Sequence, residues 1–174
     1  MNVLSVISMQ NNPANNPPIN NQQQIKVGII GYGYSAKTFH LPLITTNNAY
    51  QLSAISTSQA DTVQAKYAQI TVFSSAEALI THADIDLVII TAPNDVHFSL
   101  AKLALENNLH VIVEKPMVTT SIEAKTLSSL AKKQQRLLSV FHNRRWDGDF
   151  LTVKNCLAQH TFGELRYFES HFDR

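Results

Sequence analysis

Residues 25–44 read IKVGIIGYGYSAKTFHLPLI. Val27, Ile29 and Ile30 make an apolar run without strict alternation, the pattern of a strand buried on both faces. Gly31-Tyr32-Gly33-Tyr34-Ser35-Ala36 follows it directly and opens a helix, so the match to G-x-G-x-x-A stands in the context that the motif requires. In that reading Gly31 permits the tight turn and Gly33 lets the backbone approach a pyrophosphate. Ala36 allows close packing of helix on strand, while the helix N-terminus offers unpaired N–H groups to the anion. The turn thus nominates Gly31, Tyr32, Gly33, Tyr34 and Ser35 as cofactor contacts. An ordinary glycine-containing turn is the competing reading, and the rest of the chain separates the two.

Further strand candidates follow the first, at 26–31, at 52–56, 71–73, 87–91, 110–114 and 137–141, mostly rich in Val and Ile and not alternating. Helix starts lie between them. Ser58 with Asp61, Ser74 with Glu77 and Thr120 with Glu123 each place a capping side chain three residues before an acid. Phe98, Ala101, Ala104 and Leu105 form one apolar stripe, and Leu127, Leu130 and Ala131 form another. Strand and helix alternating in this way predict an α/β fold, a doubly wound parallel sheet of about six strands with right-handed crossovers.

The chain has 174 residues, enough for one full domain, and 14 Lys+Arg against 13 Asp+Glu leave a net charge of +1. That balance speaks against nucleic acid or an anionic membrane as a partner. One cysteine, Cys156, cannot form an intramolecular disulfide, and no apolar stretch is long enough to cross a bilayer. The expected location is cytoplasmic. Residues 1–9 lack the basic n-region and cleavage site of a secretory signal, and residues 10–24 (QNNPANNPPINNQQ and Gln24) carry no charge and little to bury. Residues 1–24 are therefore expected to be a disordered tail.

About 20 residues past the glycine turn, where Asp or Glu commonly accepts from a ribose 2′-hydroxyl, stand Ser56, Thr57 and Ser58. Without a carboxylate the site loses its repulsion of a 2′-phosphate, so the expected cofactor is NADP or NAD, with NADP preferred. No Arg stands at that tip, and Lys66 is a distant cation. Ser58 also serves as a helix cap in this reading. The fifth strand ends in Glu114-Lys115-Pro116, at the carboxyl end of the sheet, where ligands bind in open α/β folds. A lysine there can assist proton movement on a substrate oxygen. A Glu-Lys-Pro sequence alone also fits a solvated turn.

Taken together, GYGYSAKTFHLPLI (31–44), TAPNDVHFSLAKLALENNLHVIVEKP (91–116) and FHNRRWDGDF (141–150) resemble the glucose-fructose oxidoreductase / inositol dehydrogenase (Gfo/Idh/MocA) family of NAD(P)-dependent oxidoreductases. The resemblance runs from Ile25 to the end and implies a Rossmann domain over 25–146. It implies that Lys115 is the catalytic lysine, with Glu114 beside it, that Pro93 and Asn94 line the cofactor cleft, and that His97 lies close by. Asn143, Arg144 and Arg145 are implied to face the cofactor or the domain junction. For His97 a first-turn helix role, and for the arginines plain surface charge, are the alternatives. The substrate implied is a polyol, sugar or related hydroxy compound. An NAD-dependent glycosidase of the same fold and a non-catalytic dinucleotide-binding module are the rival functions.

Members of this family are about twice as long, with a second α+β domain that carries substrate contacts. Residues 147–174 accordingly read as a linker helix over 149–159, a stop at Gly163, and a first strand of that domain over 165–174, truncated before its partners. Leu165 and Tyr167 on one face and Phe168 and Phe172 on the other would be left unburied, which predicts a homo-oligomer. His171 and Asp173 read as polar residues at a domain interface and not as metal ligands.

Overall fold

The computed structural model describes residues 24–171 and 173. Six parallel strands, β1 (Ile25–Ile30), β2 (Tyr50–Ser56), β3 (Thr71–Phe73), β4 (Leu87–Ile90), β5 (His110–Glu114) and β6 (Leu138–Phe141), form one sheet in the order β3-β2-β1-β4-β5-β6. That order belongs to a doubly wound Rossmann sheet, and it reverses direction between β1 and β4. Five α-helices connect the strands: α1 (Leu41–Thr46), entered through a π-helical turn at Ala36–His40, then α2 (Ala60–Lys66), α3 (Ala76–His82), α4 (His97–Glu106) and α5 (Ser121–Gln134). After β6 comes α6 (Gly148–Ala158).

Two apolar layers hold the sheet. On one face Ile30, Val88, Ile90, Val111 and Val113 pack with Leu79 and Ile80 of α3, Leu100, Ala101, Ala104 and Leu105 of α4, and Leu127 and Ala131 of α5. On the other, Val27, Ile29, Ile55 and Ile89 pack with Ala36, Leu41 and Ile44 on the first helix and Val63 on α2. Leu100, absent from the expected stripe, is buried in the first layer, while Phe98 only packs against its edge. Beyond Phe141 no described residue is buried.

Local signals fare unequally. Thr120 and Glu123 form the reciprocal capping box at the start of α5. At α3, however, the cap is Ser75 and not Ser74. Ser75 is the extended residue next to the first helical one, and its hydroxyl accepts from Ala78 N at 3.1 Å. Ser58 does not cap α2 either: Gln59 is the N-cap, and Thr57 Oγ1 accepts from Gln59 N at 3.0 Å in the turn before it. α6 ends at Ala158, with His160 the first left-handed residue after it, so Gly163 (φ +67°) belongs to a later turn. Residues 165–171 form no strand, a correction with a plain cause: a strand is defined by a ladder, and among the described residues this segment has no neighbouring strand. Phe172 and residues 1–23, including nearly all of the expected tail, lie outside the described residues.

Candidate functional site

Where the sheet order reverses, the connections that leave β1 and β4 run to opposite faces of the sheet and leave a crevice at its carboxyl edge. The turn at its floor is set by backbone bonds. Gly31 N donates to Ser56 O at 2.9 Å, while Thr91 donates to Ile30 O through both its N (2.9 Å) and its Oγ1 (2.8 Å). Gly31 stands at φ +96°, and a Cβ built there would lie 2.7 Å from Thr91 Oγ1, so only glycine serves. Over Gly33 nothing lies within 4 Å of a built Cβ. The chain is thus bare at the point where a pyrophosphate would approach, and the residues present fit a dinucleotide.

A cleft of about 840 Å³ opens beside this turn. Tyr34, Ser35 and Phe39 line it from the turn and first helix, Thr91, Ala92 and Asn94 from the end of β4, Glu114 and Lys115 from the end of β5, and His142, Asn143, Arg144 and Arg145 from the segment after β6. Residues up to 111 positions apart in the chain thereby line one cleft. Arg144 is tied locally, its Nη1 2.7 Å from Asp147 Oδ2.

Glu114 is the hub beneath the cleft. Its Oε1 accepts from the Ser35 hydroxyl and from His40 Nε2 at 2.9 Å, and its Oε2 accepts from Lys115 N at 3.3 Å. His40 is 3% exposed, and its ring centroid lies 4.1 Å from that of Phe141. Burial pushes the His40 imidazole below its ordinary value of 6.5, with the neighbouring Glu114 opposing that shift. Burial alone would raise the Glu114 carboxyl, but the hydrogen bonds from Ser35 and His40 outweigh it and hold the group below its usual range. The consistent state is an ionised Glu114 receiving a proton donor from a neutral His40. The phosphate turn and the Glu-Lys-Pro loop are locked together by this cluster. Beside it, the Lys115-Pro116 peptide is cis.

The remaining nominated residues lie elsewhere. Tyr32 is buried in the second apolar layer, under the turn. Ser56 is buried, and Thr57 and Ser58 sit at the tip of β2 away from the cleft lining. Pro93 is exposed and leads into the short turn Asn94–Val96. His97 does not face the cleft: it is fully buried, with Nδ1 2.8 Å from Pro116 O and Nε2 2.9 Å from Ala92 O. An imidazole sunk between two backbone carbonyls cannot reach a ligand, and it braces the two loops that bear the site. Sequence reasoning missed His40, Phe39 and His142. The motif 31–44 contains the first two, but nothing in their spacing reveals that Glu114 of β5 would meet His40 or that Phe39 would line the cleft.

Comparison with known proteins supplies the context for this geometry. The model of an oxidoreductase family with an NAD-binding Rossmann fold, Gfo/Idh/MocA, matches residues 25–142. An uncharacterised oxidoreductase of Escherichia coli is 53% identical over 150 residues, covering 86% of this chain and 43% of the relative. A scyllo-inositol 2-dehydrogenase (NADP(+)) of Bacillus subtilis is 37% identical over 150 residues, covering 86% of this chain and 42% of that protein. The crystal structure of an oxidoreductase from Klebsiella pneumoniae superposes with a TM-score of 0.84 at 44% identity, covering 88% of this chain and 44% of that one. The chain thus spans less than half the length of these relatives. With the sheet order, the glycine turn and the family match in agreement, the chain belongs to the Gfo/Idh/MocA family of oxidoreductases.

Proposed function

We propose that this chain binds a nicotinamide dinucleotide, NADP(H) in preference to NAD(H), for hydride exchange with a polyol, sugar or related hydroxy compound. The observation that carries the reading is the convergence of the phosphate turn and the Glu114-Lys115 end of β5 on one cleft at the switch point of the sheet. The dinucleotide accepts or delivers the hydride when bound. In this reading the backbone at Gly31 and Gly33 receives the pyrophosphate, and Asn94 and Asn143 border the nicotinamide end. Lys115, exposed on the cleft wall, holds or moves the proton at the reacting oxygen, and Glu114 fixes the loop from which it projects. His97 supports that loop from below. Support for NADP(H) comes from the absence of an acid at Ser56-Thr57-Ser58 and from the NADP(+) named for the B. subtilis relative.

In the same reading residues 147–174 lead from the dinucleotide-binding domain into a substrate-bearing region. The exposed Phe162, Leu165, Tyr167 and Phe168 there are the surface through which copies assemble. A cytoplasmic location suits a nicotinamide-dependent enzyme, and no helix among the described residues is long and apolar enough to cross a membrane.

Calorimetric titration tests the first half: NADPH binds at least as tightly as NADH, and a tenfold preference for NADH, about 1.4 kcal/mol, overturns the NADP assignment. The second half is tested by Lys115→Met in a chain joined to the remaining half of a relative. Dinucleotide affinity stays unchanged while kcat with polyols falls by about 10²–10⁴-fold. Near-normal turnover in that variant removes Lys115 from the chemistry.

A further inference from the structure

The tip of β2 has no acid, and the sequence offers no cation beside it: Lys66 lies in the last turn of α2, its ammonium over the Tyr67 ring at 5.3 Å. The fold brings a different cation to that tip. Lys37, one turn into the first helix, places Nζ 3.3 Å from Gln59 Oε1 and 4.3 Å from the centroid of the Tyr32 ring. Gln59 is itself anchored, its Nε2 donating to Tyr32 O at 3.4 Å and its N to Thr57 Oγ1 at 3.0 Å. Every one of these partners is neutral, and among the described residues no carboxylate forms an ion pair with Lys37. An ammonium steadied by an amide oxygen and an aromatic face keeps its whole charge for an incoming anion, whereas one paired with Asp or Glu would have spent it.

We propose that Lys37 is the residue that selects a 2′-phosphorylated dinucleotide, binding the phosphomonoester on the adenosine ribose where the first helix meets the turn after β2. The Thr57 hydroxyl accepts from Gln59 N and so keeps its own proton to donate to the same phosphate. Gln59 sets where the ammonium sits, and its neutrality is part of the selection. The inference rests on the dinucleotide reading above and adds to it the group that discriminates.

The experiment titrates NADPH, NADH and 2′,5′-ADP into the unaltered chain and into Lys37→Met, Lys37→Arg and Gln59→Glu. Lys37 is exposed, so its replacement leaves the core untouched. Lys37→Met weakens NADPH and 2′,5′-ADP by about tenfold to a hundredfold, the range of a charge-assisted hydrogen bond, and leaves NADH unchanged. Lys37→Arg retains most of the NADPH affinity. Gln59→Glu, which pairs the cation and repels the phosphate, mimics the methionine variant without touching Lys37. Equal losses for NADPH and NADH, or no loss for either, overturn the assignment while leaving dinucleotide binding intact. Failure of the unaltered chain to bind either dinucleotide overturns the parent reading, and this inference with it.

Discussion

Residues 25–141 and residues 142–171 adjoin in one chain but are held by different means. In the first stretch every strand has a hydrogen-bonded neighbour, and two apolar layers close over the sheet. In the second, α6 buries no residue, and Phe150, Phe162, Tyr167 and Phe168 are exposed. The cleft joins the two. Three of its walls, from β1, β4 and β5, stand on the packed sheet, and the fourth, His142 to Arg145, begins where burial stops. The glycine turn and Lys115 are therefore preorganised by the core, whereas Asn143 and Arg145 are placed mainly by the short turn that carries them.

If this contrast is right, the largest effect comes from the core. Leu127→Ala, at a fully buried position between α5 and the sheet, should cost about 2–5 kcal/mol in denaturant unfolding, and a cost below about 1 kcal/mol would mean that the layer is not packed as described. Next, Gly31→Ala should cost about 1–3 kcal/mol, because φ +96° and Thr91 both oppose a side chain, and it should abolish dinucleotide binding. Retained binding would show that the turn is not the pyrophosphate site.

The Ser35-His40-Glu114 cluster, built on the buried His40, predicts a pH effect confined to the packed half. Because His40 titrates below 6.5 in the folded chain, the unfolded chain takes up a proton first as pH falls. Its contribution is complete above 6.5 and is lost as pH drops through the lowered folded value. Glu114 acts in the same direction further down, its contribution present above 4.5 and lost as pH falls through its own lowered value. Melting temperature should decline from about pH 6.5 downward, and His40→Gln should flatten the first part of that decline. A flat profile in the unaltered protein between about pH 7 and pH 5 would remove the cluster from the account. The smallest effect belongs to the exposed segment: Phe168→Ala should change unfolding free energy by no more than about 0.5 kcal/mol. It should nevertheless lower self-association in light scattering, and a large stability loss would reveal packing that the present contacts do not contain.

Much of this was legible in residue order. Five of the six strands begin within one residue of the expected start, and β3 and β5 coincide with the expected ranges throughout, because runs such as LVII have no polar face and are buried at every position. The capping box at Thr120 was legible because both its partners lie within one turn. Caps at Ser74 and Ser58 were misplaced because neighbouring Ser and Thr residues compete, and backbone conformation decides which of them faces the free N–H groups.

What the sequence by itself determined is whatever depends on neighbours in the chain: the apolar runs, the glycine turn, the helix-forming stretches and the Glu-Lys-Pro end of β5. Tertiary structure alone decided the partnerships across the sheet. His40 meets Glu114 from 74 residues away, and Lys37 meets Gln59 across the β2 connection. His97 disappears between two carbonyls instead of lining the cleft. Spacing along the chain carries no record of such contacts, since they arise when parallel crossovers bring the carboxyl ends of distant strands together, and burial and hydrogen bonding then set the charge state of the groups that meet.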